Sequence, residues 1–343
     1  MLALSFDGPG RVEAAERRTP RILDDSDAII RVTTAAIGPR DLARYAGPDP
    51  WPGTIPGAEF CGVVDEVGAG VASIDLGDLV TGLGVFETAD GRRAFGWEGL
   101  DGGHALYIRV PFADTTLFRV PAAAIEERAL LLGDTYGLGA AAADLAMADG
   151  AARIAVIGCD PYGASALIAL AAAGVEEVVA LDGDDRRLRL ARRLGAVTFD
   201  TPAPGVDPDV KPDIDRVVET VREATGGDGP GAVILGAGAG SAQLGIALQI
   251  VRPDGLVVLT EPELPAALPG SLTIDSDNER GVRIQRARPP SRADVSKAML
   301  ALWGGALDLA RLVSHVMPIS DAAEGYRQLH AGESGAHKIL LKM

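Results

Sequence analysis

Hydrophobic and polar positions change rhythm once along this chain, close to residue 150. Before that point, short β-branched runs at Ala28–Thr33, Gly62–Val67, Asp78–Thr81 and Ala105–Val110 are separated by stretches rich in Gly and Pro. Runs of this kind bounded by turn residues predict a β-rich, barrel-like domain. Leu130 to Ala148 is almost uninterrupted Ala, Leu and Gly and predicts one buried helix. After Ala151 apolar strands and helices alternate: strands at Arg153–Ile157, Val178–Leu181, Ala232–Leu235 and Leu256–Leu259, helices at Tyr162–Ala173, Arg186–Leu194, Val217–Ala224 and Ala242–Val251. That alternation predicts a parallel, doubly wound sheet. Thr201–Asp215, with four Pro, reads as a loop; Leu302–Leu312 and Ser320–Leu329 have helical spacing, and Lys338–Leu341 is a short closing strand that can return to the first domain.

A length of 343 residues fits two domains. With 32 Lys+Arg against 48 Asp+Glu, a net charge of −16, the chain is not expected to bind nucleic acid or an anionic membrane, because phosphate binding is built on clustered cations. A small-molecule substrate is the better expectation. No basic segment followed by an apolar core opens the sequence, and the longest apolar stretch, Ala164–Val175, is too short for a membrane span, so a soluble cytoplasmic protein is expected. Two cysteines, Cys61 and Cys159, and four histidines limit the metal sites the chain can build.

One motif carries cofactor chemistry. The strand ending at Ile157 runs into Gly158-Cys159-Asp160-Pro161-Tyr162-Gly163, and Asp182 ends the next strand 19 residues after Gly163. In a dinucleotide-binding βαβ unit the first Gly makes the turn, the second admits the pyrophosphate, the third packs helix on strand, and the acid takes the adenosine ribose. Here the middle position is Asp160, whose carboxylate adds bulk and repels the anion a helix N-terminus attracts. The plainer alternative is that Gly158 and Gly163 are only packing glycines.

Further motifs stand in order along nearly the whole chain: TAAIGPRDL at 34–42, PGAEFCGVV at 56–64, Asp101-Gly-Gly-His-Ala-Leu-Tyr107, Val110-Pro-Phe-Ala-Asp114, Leu131-Leu-Gly-Asp134 and Arg252-Pro-Asp-Gly255. With these the sequence resembles the zinc-type medium-chain alcohol dehydrogenase superfamily, above all its branch similar to threonine and formaldehyde dehydrogenases. The resemblance implies an α/β protein: a GroES-like β-barrel domain over 1–128, to which 302–343 returns, joined to a doubly wound Rossmann domain over 129–301. It also implies a homodimer or homotetramer.

The functional residues carry over unevenly. The positions at which the family holds catalytic zinc, a Cys, a His and an Asp, are here Gly38, Ala58 and Asp134, and the Ser of its proton relay is Arg40. Thr81–Leu100, where the family carries a four-Cys lobe, contains no Cys. Glycine and alanine side chains offer no metal donor, so no metal is expected. On the coenzyme side the resemblance retains Gly158, Gly163, Asp182 and Arg187, whereas Tyr162, Leu138 and Glu261 replace residues that neighbour the nicotinamide.

Three readings follow. The first is a zinc-independent oxidoreductase that reduces a conjugated or activated small molecule in biosynthesis. In it Arg40 is the electrophile, Asp134, Glu59 or Tyr45 the proton donor or orienter, and NAD(H) is preferred over NADP(H) because Asp182 repels a 2′-phosphate. In this reading Gly158, Asp160, Tyr162, Gly163, Asp182, Arg187 and Glu261 line the cofactor. The second is a non-redox cyclase or isomerase that turns over neither coenzyme and uses Arg40, Asp41, Glu59, Asp134 and Glu261 for acid and base work. The third is a pseudoenzyme. Arg40 also has a structural reading, as the salt-bridge partner of Asp134 or Glu59 in the vacated metal site.

Overall fold

The computed structural model describes residues 1–47, 51–201, 214–237, 241–260, 280–332 and 336–343. It divides into two compact units, Met1–Gly137 with Pro289–Met343, and Leu138–Arg288. The divisions expected from the sequence, after 128 and before 302, thus fall at 137/138 and 288/289. The helix Arg292–Trp303 explains the second difference, since it packs on the first unit against Glu126–Ala129 and the turn Leu130–Gly133.

The first unit is built on a seven-stranded sheet. Its path runs His315–Pro318, Ile339–Lys342, Ala28–Ile37, Glu59–Val67, Leu79–Gly82, Leu117–Arg119, and Tyr107–Val110 also pairs with Ala28–Ile37. The four early strands lie where the β-branched runs placed them. The closing strand does return to this unit, pairing antiparallel with Ile339 opposite Ile37 and Lys342 opposite Thr34. Its Ile339 and Leu341 join Leu4, Ile37, Tyr45 and Tyr326 in one core.

Two helices expected in this part of the chain are corrected. Leu130–Ala148 is not one helix: a 3-10 turn, Leu130–Gly133, gives way to the α-helix Thr135–Ala148, and Asp134 between them has φ −140 and ψ −76. The break turns the buried Asp134 carboxylate toward Arg40. Leu302–Leu312 is not a helix either, because Arg292–Trp303 ends there at Gly304 and only Ala310–Leu312 forms a 3-10 turn. Ser291 is the N-cap of Arg292–Trp303, its hydroxyl accepting from Asp294 N while Asp294 accepts from Ser291 N, a start signal the apolar spacing did not show.

The second unit holds a six-stranded sheet, all parallel, in the order Val197–Asp200, Val178–Asp182, Ile154–Ile157, Ala232–Leu235, Leu256–Leu259, Arg283–Arg286. Counted along the chain this is order 3-2-1-4-5-6, the doubly wound arrangement in which ligands bind where the order reverses, beyond the C-terminal ends of the first and fourth strands. The central strands are buried on both faces, hence their unbroken apolar runs. Helices Pro161–Ala172, Asp185–Arg193, Ile214–Ala224 and Ser241–Ile250 cover the sheet. Ile214 and Asp215, assigned to a loop from the sequence, open a helix; 202–213 lie outside the described residues. No helix among the described residues is long and apolar enough to cross a membrane.

Candidate active site and dinucleotide turn

In the first unit, the N-terminus of the helix Pro39–Ala46 and the start of the strand Glu59–Val67 bring charged side chains together below the surface. Asp41 folds back over the helix start, one carboxylate oxygen accepting from Gly38 N and the other from Gly57 N, each at 2.9 Å. Glu59 accepts from Thr135 N at 3.0 Å through one oxygen and pairs with the Lys338 ammonium through the other. Lys338 donates in addition to the Thr135 hydroxyl at 2.9 Å. Burial pushes the Glu59 carboxyl up, and the Lys338 ammonium beside it pulls it back toward ionisation. Arg40 Nε meets Asp134 Oδ1 at 3.2 Å.

Gly38 is the position where the resemblance places a thiolate. A Cβ there would lie 3.5 Å from Lys338 Nζ, 3.5 Å from Glu59 Oε2 and 3.4 Å from Asp41 Oδ2. A side chain at 38 would therefore rest against the Glu59–Lys338 pair at ordinary contact distance. Ala58, where the family has His, is buried and carries no donor. Among the described residues no group of three His, Cys, Asp or Glu is placed to hold a metal ion. Of the two cations, Lys338 is fully buried, whereas the Arg40 side chain keeps 11% of its exposure.

The sequence reading missed Lys338, Thr135 and His104. His104 is buried, with Nε2 3.0 Å from the Ala36 carbonyl and Nδ1 3.0 Å from the Tyr326 hydroxyl. Burial lowers its pKa, so it is neutral, donating from Nε2 and accepting from Tyr326. Lys338 left one signal: a cation heading an apolar strand needs a buried anion, and Glu59 lacked a partner once Ala58 replaced the metal ligand beside it. Tyr45 packs between Phe6, Tyr326 and His330, its ring 5.2 Å from that of Tyr326, and belongs to the apolar core.

In the second unit the strand Ile154–Ile157 turns at Gly158, whose φ of +82 favours glycine. A methyl on Gly163 would overlap the Gly158 carbonyl oxygen, so the third glycine of the motif brings helix against strand. Asp182 ends its strand with Oδ2 accepting from Cys159 N at 2.6 Å and Oδ1 from Asp184 N at 2.8 Å. Arg187 Nη1 lies 3.6 Å from Asp182 Oδ2. Asp160 is the N-cap of the helix Pro161–Ala172, and its Oδ1 accepts from Tyr162 N at 2.8 Å and Gly163 N at 3.3 Å. The protein's own carboxylate thus takes amides that a helix N-terminus offers to an anion. Tyr162 is buried as the second residue of that helix. Glu261 lies outside the described residues.

Comparison with known proteins agrees with both units. Residues 24–122 match the alcohol dehydrogenase GroES-like domain family, and residues 161–302 the zinc-binding dehydrogenase family. The chain is 31% identical to zinc-type alcohol dehydrogenase B of Aspergillus flavus, with all of this chain and 81% of that protein covered. It is also 31% identical to the medium chain reductase/dehydrogenase ucsI of Acremonium sp, covering 75% of this chain and 92% of that one. Among solved structures, an alcohol dehydrogenase from Thermus sp. ATN1 superposes with a TM-score of 0.82 at 28% identity over the full length of both chains. The protein is an oxidoreductase-like enzyme, and it belongs to the zinc-type medium-chain alcohol dehydrogenase superfamily.

Proposed function

We propose that this enzyme is a zinc-independent, NAD(H)-linked reductase of a conjugated or otherwise activated small-molecule carbonyl compound, working in biosynthesis as a homo-oligomer. The observation that carries the reading is the Glu59–Lys338 pair packed against Gly38, with Arg40 on Asp134. Glu59 and Asp134 are each paired with a cation of the protein itself, and Asp41 is taken up by the Gly38 and Gly57 amides. A zinc ion would need at least three donors there; Gly38 and Ala58 supply none, and two fixed positive charges stand in its way. These residues do not fit the metal.

Reduction of an activated C=C bond needs an oxyanion stabilised more than it needs a Lewis acid. Arg40 is suited to that role. Its guanidinium stays charged at any working pH, is oriented by Asp134 at Nε, and is the partly exposed cation of the two, so a substrate oxygen can reach it. Lys338, fully buried, acts as a positioning residue that neutralises Glu59 and fixes Thr135.

A bound nicotinamide coenzyme would supply the hydride. The turn at Gly158, the Gly163 contact and the acid Asp182 fit its adenosine half. Asp182 favours NADH, since Arg186 is already held by Asp184 through Nε at 3.0 Å and Nη2 at 2.9 Å. Relatives at high structural similarity include a dehydrogenase described in complex with NADH. The test is a titration with NADH and NADPH followed by turnover on an α,β-unsaturated ketone after dialysis against a chelator. The reading expects micromolar NADH affinity, at least about tenfold weaker NADPH binding, and chelator-resistant turnover lost in Arg40→Met. Turnover that disappears on chelation and returns with zinc would overturn it.

A further inference from the structure

The end of the first strand of the parallel sheet carries two buried polar atoms without partners. Asp160 is 6% exposed, and while Oδ1 caps the helix, Oδ2 has no hydrogen-bond partner. Arg187 Nε is likewise buried and unpaired. Asp160 Oδ2 points to the reversal point of the strand order: a Cβ built on Gly236, after the fourth strand, would come within 2.5 Å of it, and one on Gly158 within 3.6 Å. A side chain on Gly236 would crowd this carboxylate, and one on Gly158 would touch it. A buried, unsatisfied carboxylate oxygen beside a helix N-terminus, at the place where doubly wound sheets bind their ligands, is an unstable arrangement in an isolated protein and calls for a ligand or a proton.

We propose that Asp160 binds the pyrophosphate of a dinucleotide as a neutral acid, with Oδ1 kept on the helix amides and the Oδ2 proton donated to a phosphate oxygen, so that binding takes up one proton. This rests on the coenzyme reading above and adds to it a residue that converts an apparent obstacle into a donor. With Oδ2 ionised, the site sets one anion against another on a helix terminus whose amides are already occupied. With Oδ2 protonated, the repulsion vanishes and the orphaned atom gains a partner.

The surroundings favour this. Burial pushes the Asp160 carboxyl up to about 7, against the opposing pull of Arg187 and of the helix amides. The Ala237 amide also favours ionisation but makes no hydrogen bond of ordinary geometry. Among the described residues the charged or titratable groups around it are Arg187 from the helix Asp185–Arg193 and Cys159 from its own turn, with Asp182 of the neighbouring strand beside those two. Burial raises the Cys159 thiol well above its usual value, which removes it from the neutral range. Gly236 and Ala237, beyond the fourth strand, are uncharged. This unit contains no histidine, so among its described residues Asp160 is the group placed to titrate between pH 6 and 8 at this turn.

The experiment is calorimetric titration of the full-length chain with ADP-ribose, which carries the adenosine and pyrophosphate without nicotinamide, and with adenosine as control. Each is measured at pH 6 and pH 8, in two buffers of different ionisation enthalpy. With a carboxyl titrating at about 7, the ADP-ribose dissociation constant weakens about tenfold from pH 6 to pH 8, with close to one proton taken up at pH 8, while adenosine affinity stays constant. Asp160→Asn keeps an oxygen for the cap and puts an N–H at the Oδ2 position. It should bind ADP-ribose equally at both pH values and at least as tightly as the wild type at pH 6. Proton uptake by the wild type stands as evidence even if the variant fails to fold. ADP-ribose binding that is independent of pH, or a pH dependence that persists in Asp160→Asn, overturns the role of Asp160 and leaves the coenzyme reading in place. Binding to neither protein at either pH overturns both.

Discussion

At residue 338 a lysine is buried completely, which a chain tolerates only where the ammonium finds an anion and further acceptors. It finds Glu59 and the Thr135 hydroxyl. Removing one partner leaves the other as an uncompensated buried charge, whereas replacing both by apolar groups leaves none. Lys338→Ala should therefore cost about 3 kcal/mol or more in chemical denaturation, and the double variant Lys338→Met, Glu59→Leu should recover most of it. Equal losses in the single and double variants would show that packing rather than charge pairing holds the cluster. The sequence could not display this pair, because its members stand 279 residues apart and Lys338 belongs to none of the motifs, although Glu59 lies in the one at 56–64. Arg40 was legible, its place in the motif at 34–42 leading to Asp134 as a partner that the structure gives it. Asp41 was legible as a site residue, yet both its oxygens are used on Gly38 and Gly57 amides, so it shapes the helix start.

The four central strands of the second unit were readable because buried parallel strands are continuous apolar runs, whereas its edge strands Val197–Asp200 and Arg283–Arg286, interrupted by polar residues and partly exposed, show no such run. Asp160 and Asp184 each cap the helix that follows. Elements near residues 130 and 300 were not readable. A single polar residue, Asp134, breaks an otherwise seamless apolar stretch to serve a tertiary salt bridge, and propensity carries no information about that. At the strand–helix turn the fit is steric: a methyl on Gly163 meets the Gly158 carbonyl oxygen with no flexible side chain to yield. Gly163→Ala should lower stability by about 2–4 kcal/mol and weaken ADP-ribose binding, read by denaturation and calorimetry on the same sample. Full stability in that variant would show that the helix can shift away from the strand.

For the whole molecule, the proposed function separates family membership from metal chemistry. The fold is that of zinc-type dehydrogenases, whereas Gly38 and Ala58 carry no donor and the Lys338 ammonium stands beside Gly38. The resemblance made the fold legible over nearly the full length; the replacement chemistry emerged only when Lys338, on the closing strand, was seen beside Gly38. The acidic excess of the chain takes on local meaning at Asp160, a carboxylate set on the helix terminus that the proposed coenzyme would share. Zinc content tests the metal-free reading of this site most directly. Elemental analysis of protein expressed with added zinc and purified without chelator should find far less than one zinc per chain, and a stoichiometry near one, retained through gel filtration, would contradict it.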